Sequence, residues 1–552
     1  MTDLSIKKLL VANRGEIAIR VFRAASEINI RTVALYTYED RFSLHRYKAD
    51  EAYQIGAKDD PLKPYLDIDE IIKLAIENGV DAIHPGYGFL SENESFAQAC
   101  IDAGIKWIGP TPEVMAALGD KISAKKVAKE AGVPIVPASE GEITEVSELK
   151  NIASEIGYPI MVKAAYGGGG RGMRVVHSES EITKAFREAS GEAQTAFGNP
   201  SVFVEKYIAD PKHIEVQLLG DLHGNLVHLF ERDCSIQRRF QKVVEIAPAT
   251  SLRQETREDL YRHALAIGNS VGYQNAGTVE FLLDDEENIY FIEVNTRIQV
   301  EHTITEVITG EDIVRNQILI AAGYALDDPK IGLGTQEDIS YRGVAIQCRI
   351  TTEDPSQNFK PDYGRLVAYR SASGFGIRLD AGNAYAGATI SPFFDSMLVK
   401  VTASGNSLTD AADRLHRALR EFRIRGVKSN ISFLLNILRD PGFRSGNTTV
   451  HYIANHPELL TPPNWKDRGT KLIRYLGEVN VNGNPDVKKK VDQVEFNPIH
   501  IPEPKNSDYK PGTKQLLTEL GPERFSEWLK EQEQVLFTDT TFRDAHQSLL
   551  AT

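Results

Sequence analysis

Three segments of the chain gather side chains suited to chemistry on a charged, phosphorylated substrate. In IMVKAAYGGGGRGMRVVH, residues 167–172 satisfy the spacing G-x-G-x-x-G. A dinucleotide fingerprint needs a strand before and a helix after that spacing, whereas a second strand signal, MRVV, follows here. Strand, glycine loop and strand make a hairpin with a thin tip and many free N–H groups. Such a tip can close over a polyphosphate, with Lys163 and Arg171 adding positive charge. A plain flexible hairpin is the other reading of the same residues.

The second segment pairs GTVEFLL with IYFIEVN across the polar turn DDEEN. Read as a hairpin, it places Glu280 across from Glu293, and the period of two puts Glu293 and Asn295 on one face. Two carboxylates and an amide oxygen on one face repel unless a cation lies between them, and Mg²⁺ prefers such hard oxygen donors. The alternative is a solvated acidic face, which the apolar flanks VEFLL and FIEV disfavour. The third segment, TRIQVEHTITE, concentrates Arg297, Gln299, Glu301 and His302. A guanidinium beside an amide suits a small planar oxyanion such as bicarbonate, and Glu301 could serve as its base. Taken alone, the cluster could be a surface ion-pair group. CRITTEDP adds another strand-borne cation, Arg349.

The elements that would position these groups can be read from periodicity. The first 110 residues alternate strand and helix signals: LLVAN, then GEIAIRVFRAASEI, TVALYT, DIDEIIKLAIENG and DAIHPG. That alternation implies a parallel sheet with right-handed crossovers. Short strands around glycine follow from about Gly132 to Tyr207. Strand and hairpin signals with intervening helices, such as SLRQETREDLYRHALAIGNSVG, run to about Asn436. After Leu460 the chain turns polar and proline-bearing, as in a linker or small accessory region, with a short helical segment at PERFSEWLKEQ.

Composition narrows the class. With 552 residues, 41% apolar and 25% charged, the chain predicts a globular protein of several domains. The net charge of −14 argues against nucleic acid, which needs a concentrated basic surface. Cys100, Cys234 and Cys348 form no metal or disulfide spacing. No apolar run approaches the ~20 residues that span a bilayer, and the opening MTDLSIKKLLVANRG lacks the features of a signal or transit peptide. The expectation is a cytoplasmic protein with reduced thiols, bound to neither membrane nor nucleic acid.

Over about residues 5–450 the chain resembles the biotin carboxylases, a branch of the ATP-grasp enzymes. The strings that carry the resemblance are VANRGEIAIR, HPGYGFLSEN, GDKISA, KAAYGGGGRGM, KHIEVQ, ERDCSIQRR, QKVVE, IEVNTRIQVEHTITE and CRITTEDP. The implied fold is α/β: an ATP-grasp fold with an N-terminal doubly wound parallel sheet, a glycine-rich mobile lid and a C-terminal mixed α+β domain. The implied boundaries are 1–120, 121–207 for the lid, 208–455 for the body, 456–535 for a linker or allosteric region, and 536–552 for the start of a carboxyltransferase domain.

The resemblance assigns roles residue by residue. Lys121 and Lys163 would contact ATP phosphates beneath the lid glycines, Gly168, Gly169 and Gly170 among them. Glu205, Lys206 and Ile208 would hold adenine, His213 the ribose, and Gln237 another part of the nucleotide. Glu280, Glu293 and Asn295 would bind Mg²⁺ or Mn²⁺. Lys242, Arg297, Gln299 and the Val300 backbone would hold bicarbonate, Glu301 would be the base, and Arg349 would stabilise the biotin enolate. Two departures stand out: Phe240 replaces a histidine common in the family, and Thr296 replaces a proline.

FRIRGVKSNISFLLNIL and LFTDTTFRDAHQSLLAT resemble the pyruvate carboxylase branch rather than the acetyl- or propionyl-CoA branches. There Arg543 and Gln547 would match a pyruvate site and Asp544 a metal ligand, in a barrel otherwise missing from this sequence. Biotin would be carried on a separate domain. The implied partners are carrier and carboxyltransferase domains, a second copy of the carboxylase domain, a tetramer at full length, and an acetyl-CoA or nucleotide regulator. Other ATP-grasp ligases and a non-catalytic nucleotide sensor are the rival readings. The RIQVEH cluster with Arg349 separates the chain from the first, and an intact base beside an oxyanion site separates it from the second.

Overall fold

The strand β1 (Lys8–Val11) is apolar on both faces, and its alternate residues enter two different cores. Leu9 and Val11 pack with Ile17, Ala18 and Val21, while Leu10 packs with Val33, Leu35 and Ile83. A strand buried on both sides belongs in the middle of a parallel sheet covered by helices. In the computed structural model β1 is the centre of a five-stranded sheet in which every mapped pairing is parallel. It is flanked by β2 (Arg31–Tyr36), β3 (Glu51–Gln54), β4 (Ala82–His84) and β5 (Lys106–Trp107), in the order β3-β2-β1-β4-β5. This is the doubly wound arrangement expected from the sequence, and the helix after β1, Gly15–Glu27, packs its apolar side onto it. The structure describes residues 5–139, 141–164, 174–197, 200–461, 468–484, 512–541 and 543–545.

A three-stranded antiparallel sheet follows, with β6 (Ile160–Ala164) between β7 (Arg174–Val176) and β8 (Val202–Lys206). Both strands expected to flank the glycine run are therefore present as β6 and β7, while Gly168, Gly169, Gly170 and Arg171 lie outside the described residues.

The largest element is an eight-stranded sheet. Its strands are β9 (Lys212–Gly220), β10 (Leu226–Arg238), β11 (Gln241–Ala247), β12 (Asn275–Leu283), β13 (Ile289–Asn295), β14 (Val344–Thr351), β15 (Ile377–Ala381) and β16 (Met397–Gly405). Their order is β13-β12-β9-β10-β11-β14-β16-β15. The mapped pairings are antiparallel, so neighbouring strands can present charged residues from one face. One side of the β9–β12 region carries the Gln254–Ser270 helix, and the β14–β16 end carries the Leu408–Glu421 helix.

By internal contacts the chain divides into residues 1–464 and 465–552. In the second unit, helices span Arg468–Asn482 and Thr513–Lys530. The helix read at PERFSEWLKEQ starts earlier, at Thr513, and is broken at Gly521 (φ 74°), just before Pro522. Among the described residues no helix is long and apolar enough to cross a membrane.

Candidate functional site

The β12–β13 hairpin has the register expected from its sequence: Glu280 pairs with Glu293 and Thr278 with Asn295. Its turn is fastened by Asp284, whose Oδ1 accepts from the N–H groups of Glu286 and Asn288. Glu280, Glu293 and Asn295 all border a cavity of about 1110 Å³. So do Lys121, Lys163, Glu205, Lys206, Ile208, His213, Gln237 and Lys242. Arg297, Gln299, Val300, Glu301 and Arg349 complete its wall. Residues spread over more than 200 positions of sequence thus meet in one place.

At the end of the cavity beside the three-stranded sheet, Lys163 is hydrogen-bonded to Glu205 across the β6–β8 ladder. Lys125, which sequence reading did not single out, reaches the same carboxylate at 3.8 Å and also borders the cavity. Lys206 donates instead to the carbonyls of Gly157 and Tyr158, both at 2.9 Å, so its ammonium tethers a neighbouring loop. Gln237 Nε2 lies 2.9 Å from His213 Nδ1, and His213 Nε2 lies 2.9 Å from Glu280. Phe240, at the tip of the β10–β11 hairpin with φ 64°, is 75% exposed and lies at the cavity margin.

The floor of the cavity is a lattice of charges. The Lys242 ammonium donates to Glu215 at 2.5 Å, to Glu280 at 2.8 Å and to Glu301 at 2.8 Å. Arg349 donates to the other oxygen of Glu301 at 3.1 Å and is held from behind by Glu245 at 2.8 Å. Burial alone would push the Glu301 carboxyl up, but Lys242, Arg349 and Arg232 hold it well below the usual range. Glu280 is likewise held low against its burial by Lys242 and His213, and the three carboxylates in turn raise Lys242 against its own desolvation. For Glu245 burial wins: its carboxyl is raised despite Arg349.

Arg297 is fixed in three directions. It donates to Gln299 Oε1 at 2.7 Å, to Asn295 Oδ1 at 2.8 Å and to Glu92 at 3.0 Å. Gln299 Nε2 and Asn295 Nδ2 both donate to Glu280 Oε1, at 3.1 and 2.9 Å. A guanidinium and an amide are thus held side by side, as planar recognition of an oxyanion requires.

The oxygens of Glu280 and Glu293 suit a hard divalent cation. They face one cavity from adjacent strands, where Glu280 meets the Lys242 ammonium at 2.8 Å and the His213 ring at 2.9 Å, and Glu293 meets Lys121 at 3.2 Å. Such a donor set fits Mg²⁺. Sequence reading missed Glu215, Arg232, Glu245, Lys125 and Glu92. Arg232 is wholly buried and bonds to Glu215, Gln217, Thr278 and Thr305, fixing the strands beneath Lys242. In the second unit, Arg543 and Asp544 are exposed and pair with each other at 3.4 Å, and Gln547 lies outside the described residues.

Comparison with known proteins gives three family matches in order along the chain. "Biotin carboxylase, N-terminal domain" matches residues 5–115, "Carbamoyl-phosphate synthase L chain, ATP binding domain" matches 120–329, and "Biotin carboxylase C-terminal domain" matches 347–455. Pyruvate carboxylase of Bacillus subtilis is 53% identical over 552 residues, covering 100% of this chain and 48% of that protein. The chain therefore spans about half the length of the curated relatives it matches. The biotin carboxylase domain dimer of Hydrogenobacter thermophilus 2-oxoglutarate carboxylase, solved with MgADP, ADP and bicarbonate, is 48% identical. It superposes with a TM-score of 0.76 over 84% of this chain and 100% of that one. Pyruvate carboxylase of Rhizobium etli, solved with the allosteric activator acetyl coenzyme-A, is 52% identical. Its TM-score is 0.78, over 98% of this chain and 48% of that one.

Proposed function

The chain belongs to the biotin carboxylases, and we propose that it uses ATP and bicarbonate to carboxylate biotin at N1, as the first half-reaction of a pyruvate carboxylase. The observation that carries this reading is Glu301 clamped between Lys242 and Arg349, beside the Arg297–Gln299 pair and the Glu280–Glu293 oxygens. A module that only binds nucleotide has no use for a buried carboxylate set among cations in this way.

In the proposed mechanism Arg297, Gln299 and the Val300 N–H hold bicarbonate, and Glu301 Oε takes its proton. The bicarbonate oxygen attacks the γ-phosphorus of ATP, the bond to the bridging oxygen breaks, and carboxyphosphate and ADP result. Lys121 and Lys163 offset the charge that moves onto the leaving phosphates, while Lys242 stays with the bicarbonate group. Glu280, Glu293 and Asn295 would hold Mg²⁺ or Mn²⁺, which when bound neutralises phosphate charge. Carboxyphosphate then separates into CO₂ and phosphate, the phosphate takes the N1 proton of biotin, and Arg349 stabilises the enolate that captures CO₂. Closure of the glycine lid loop read at residues 167–172 would keep water from carboxyphosphate.

We assign residues 121–207 to the lid and 208–455 to the body, with 456–535 as a linker or allosteric region. At full length the enzyme would pass the carboxyl group to pyruvate, making oxaloacetate. Biotin would then ride on a carrier domain, and the carboxyltransferase would begin near residue 536. The 2-oxoglutarate carboxylase dimer and the acetyl coenzyme-A complex of the Rhizobium protein support a paired carboxylase domain and regulation by acetyl-CoA, and the resemblance to the family extends the proposal to a tetramer of the whole enzyme. Three buried free cysteines suit a reducing compartment, and we place the enzyme in the cytoplasm.

The test is ADP release by this chain with and without free biotin and bicarbonate. Release that requires bicarbonate and rises with biotin is expected; ATP turnover indifferent to both overturns the reading.

A further inference from the structure

The loop Arg297–Glu301 turns its functional groups toward the cavity, yet its backbone is held from the opposite side. His302 Nδ1 lies 2.6 Å from the carbonyl oxygen of Gln299, and Lys400 Nζ lies 2.9 Å from that of Val300. Gln299, Val300 and Glu301 border the cavity, whereas His302 and Lys400 do not, and both of the latter are 0% exposed. A trans peptide points its N–H opposite its carbonyl. Holding the Gln299 carbonyl from behind therefore directs the Val300 N–H toward the cavity, and holding the Val300 carbonyl does the same for the Glu301 N–H. Among the described residues neither N–H meets a protein acceptor.

Burying an ammonium merely to bind a carbonyl is costly unless the charge is matched, and here it is. Lys400 Nζ lies 2.9 Å from Glu16 Oε1, and Glu16 Oε2 accepts from the Tyr87 hydroxyl at 2.6 Å. Asp380 faces Lys400 across the β15–β16 ladder. Lys400 comes from β16, Glu16 from the first helix of the parallel sheet, and Val300 from the loop after β13, so three parts of the chain converge on one ammonium. His302 is neutral, because burial and then Lys400, Arg20 and Arg378 hold its pKa well below the usual range. A carbonyl only accepts, so the imidazole proton is on Nδ1.

We propose that His302 and Lys400 are positioning residues for the oxyanion: by fixing the carbonyls of Gln299 and Val300, they present the N–H groups of Val300 and Glu301 as a two-donor cradle for bicarbonate and carboxyphosphate. The proposal rests on the functional reading above. It adds to that reading the Glu301 N–H and two side chains that never touch substrate.

The test is the bicarbonate dependence of biotin-stimulated ADP release by this chain. His302→Leu removes one pin and leaves every buried charge in place, and His302→Asn returns an amide N–H near the Nδ1 position. The double variant Lys400→Met/Glu16→Gln removes the other pin while keeping the buried charge balanced. His302→Leu and the double variant should lose up to about 10²-fold in kcat/KM for bicarbonate, as mispositioning of a reactant does. KM for ATP and the thermal midpoint should stay unchanged, and His302→Asn should recover most of the loss. An unchanged kcat/KM for bicarbonate in the folded variants, or a parallel rise in KM for ATP, overturns the proposal; if the double variant does not fold, the His302 pair decides. Wild type is measured first: no bicarbonate dependence there sinks the functional reading and this proposal together, whereas dependence in wild type with unaltered variants sinks this proposal alone.

Discussion

Lys242 Nζ and Glu301 Oε1 lie 2.8 Å apart at the floor of the cavity, and that contact, with Arg349 and Arg232, holds the Glu301 carboxyl well below the usual range and so lowers its proton affinity. Its proton affinity can rise only when the cations around it turn to other anions, as they would when bicarbonate and nucleotide phosphates arrive. Glu301→Gln keeps the size and most of the hydrogen bonding but cannot accept a proton. Biotin-dependent ADP release should fall by ~10²–10⁴-fold, the range for losing a positioned base. ATP affinity, measured by equilibrium titration, should stay near wild type.

Removing Lys242 should act differently. Lys242→Met leaves Glu215, Glu280 and Glu301 facing one another without their shared cation, and breaking a buried pair in this way costs ~3–5 kcal/mol. Urea unfolding should show that loss together with loss of activity, whereas Glu301→Gln leaves Lys242 with Glu215 and Glu280 and Arg349 with Glu245, so its loss of stability should be the smaller of the two.

Glu293 is the more accessible of the two paired carboxylates and meets Lys121 at 3.2 Å. Glu293→Gln should leave the thermal midpoint unchanged and raise the Mg²⁺ concentration that half-saturates ADP release. A Mg²⁺ titration identical to wild type would show that this pair does not bind the metal.

Acid sensitivity should come from buried neutral histidines. Burial pushes His45, His84 and His228 down to about 4 each, whereas in the unfolded chain they titrate near 6.5. Between those values the unfolded chain binds more protons than the folded one, so stability falls as pH drops from about 6.5 toward 4 and is fully present above that window. His84 shows why: its Nδ1 accepts from the Gly86 N–H at 2.9 Å while its Nε2 faces Gln317 at 3.2 Å, so a second ring proton would oppose the Gly86 N–H. His84→Asn should be less stable at pH 7 but should lose stability less steeply, by about 1.4 kcal/mol per pH unit within the window. Urea unfolding at pH 5, 6 and 7 measures the slope.

The parts legible in the sequence were those written in local pattern. The period of two across DDEEN placed Glu280 opposite Glu293, and the alternation of strand and helix signals from LLVAN to DAIHPG implied the parallel sheet. The residues that escaped, Glu215, Arg232 and Glu245, are charged residues of strands that turn inward. In a sequence they look the same as solvated ones, because what makes burial tolerable is a partner far along the chain. Arg349 meets Glu245 across 104 positions, and Arg297 meets Glu92 across 205. No local signal marked Arg232: LFERDCSIQR sets it between Glu231 and Asp233, as a solvated stretch also would. Lys206 illustrates the converse: its sequence position is right for the site, but its ammonium serves a loop.

The continuity of the eight-stranded sheet has a consequence for any attempt to dissect the chain. The family matches end at residue 329 and resume at 347, which falls inside β14 (Val344–Thr351), and β14 is hydrogen-bonded to β11 on one side and β16 on the other. A fragment beginning at residue 347 would carry a shortened strand whose β11 side has no neighbour, and a fragment ending at 329 would bare the matching edge of β11. Both edges are open templates for pairing with another chain. The two halves named separately by sequence therefore form one unit of folding, and expressed apart they should associate or precipitate rather than behave as independent domains.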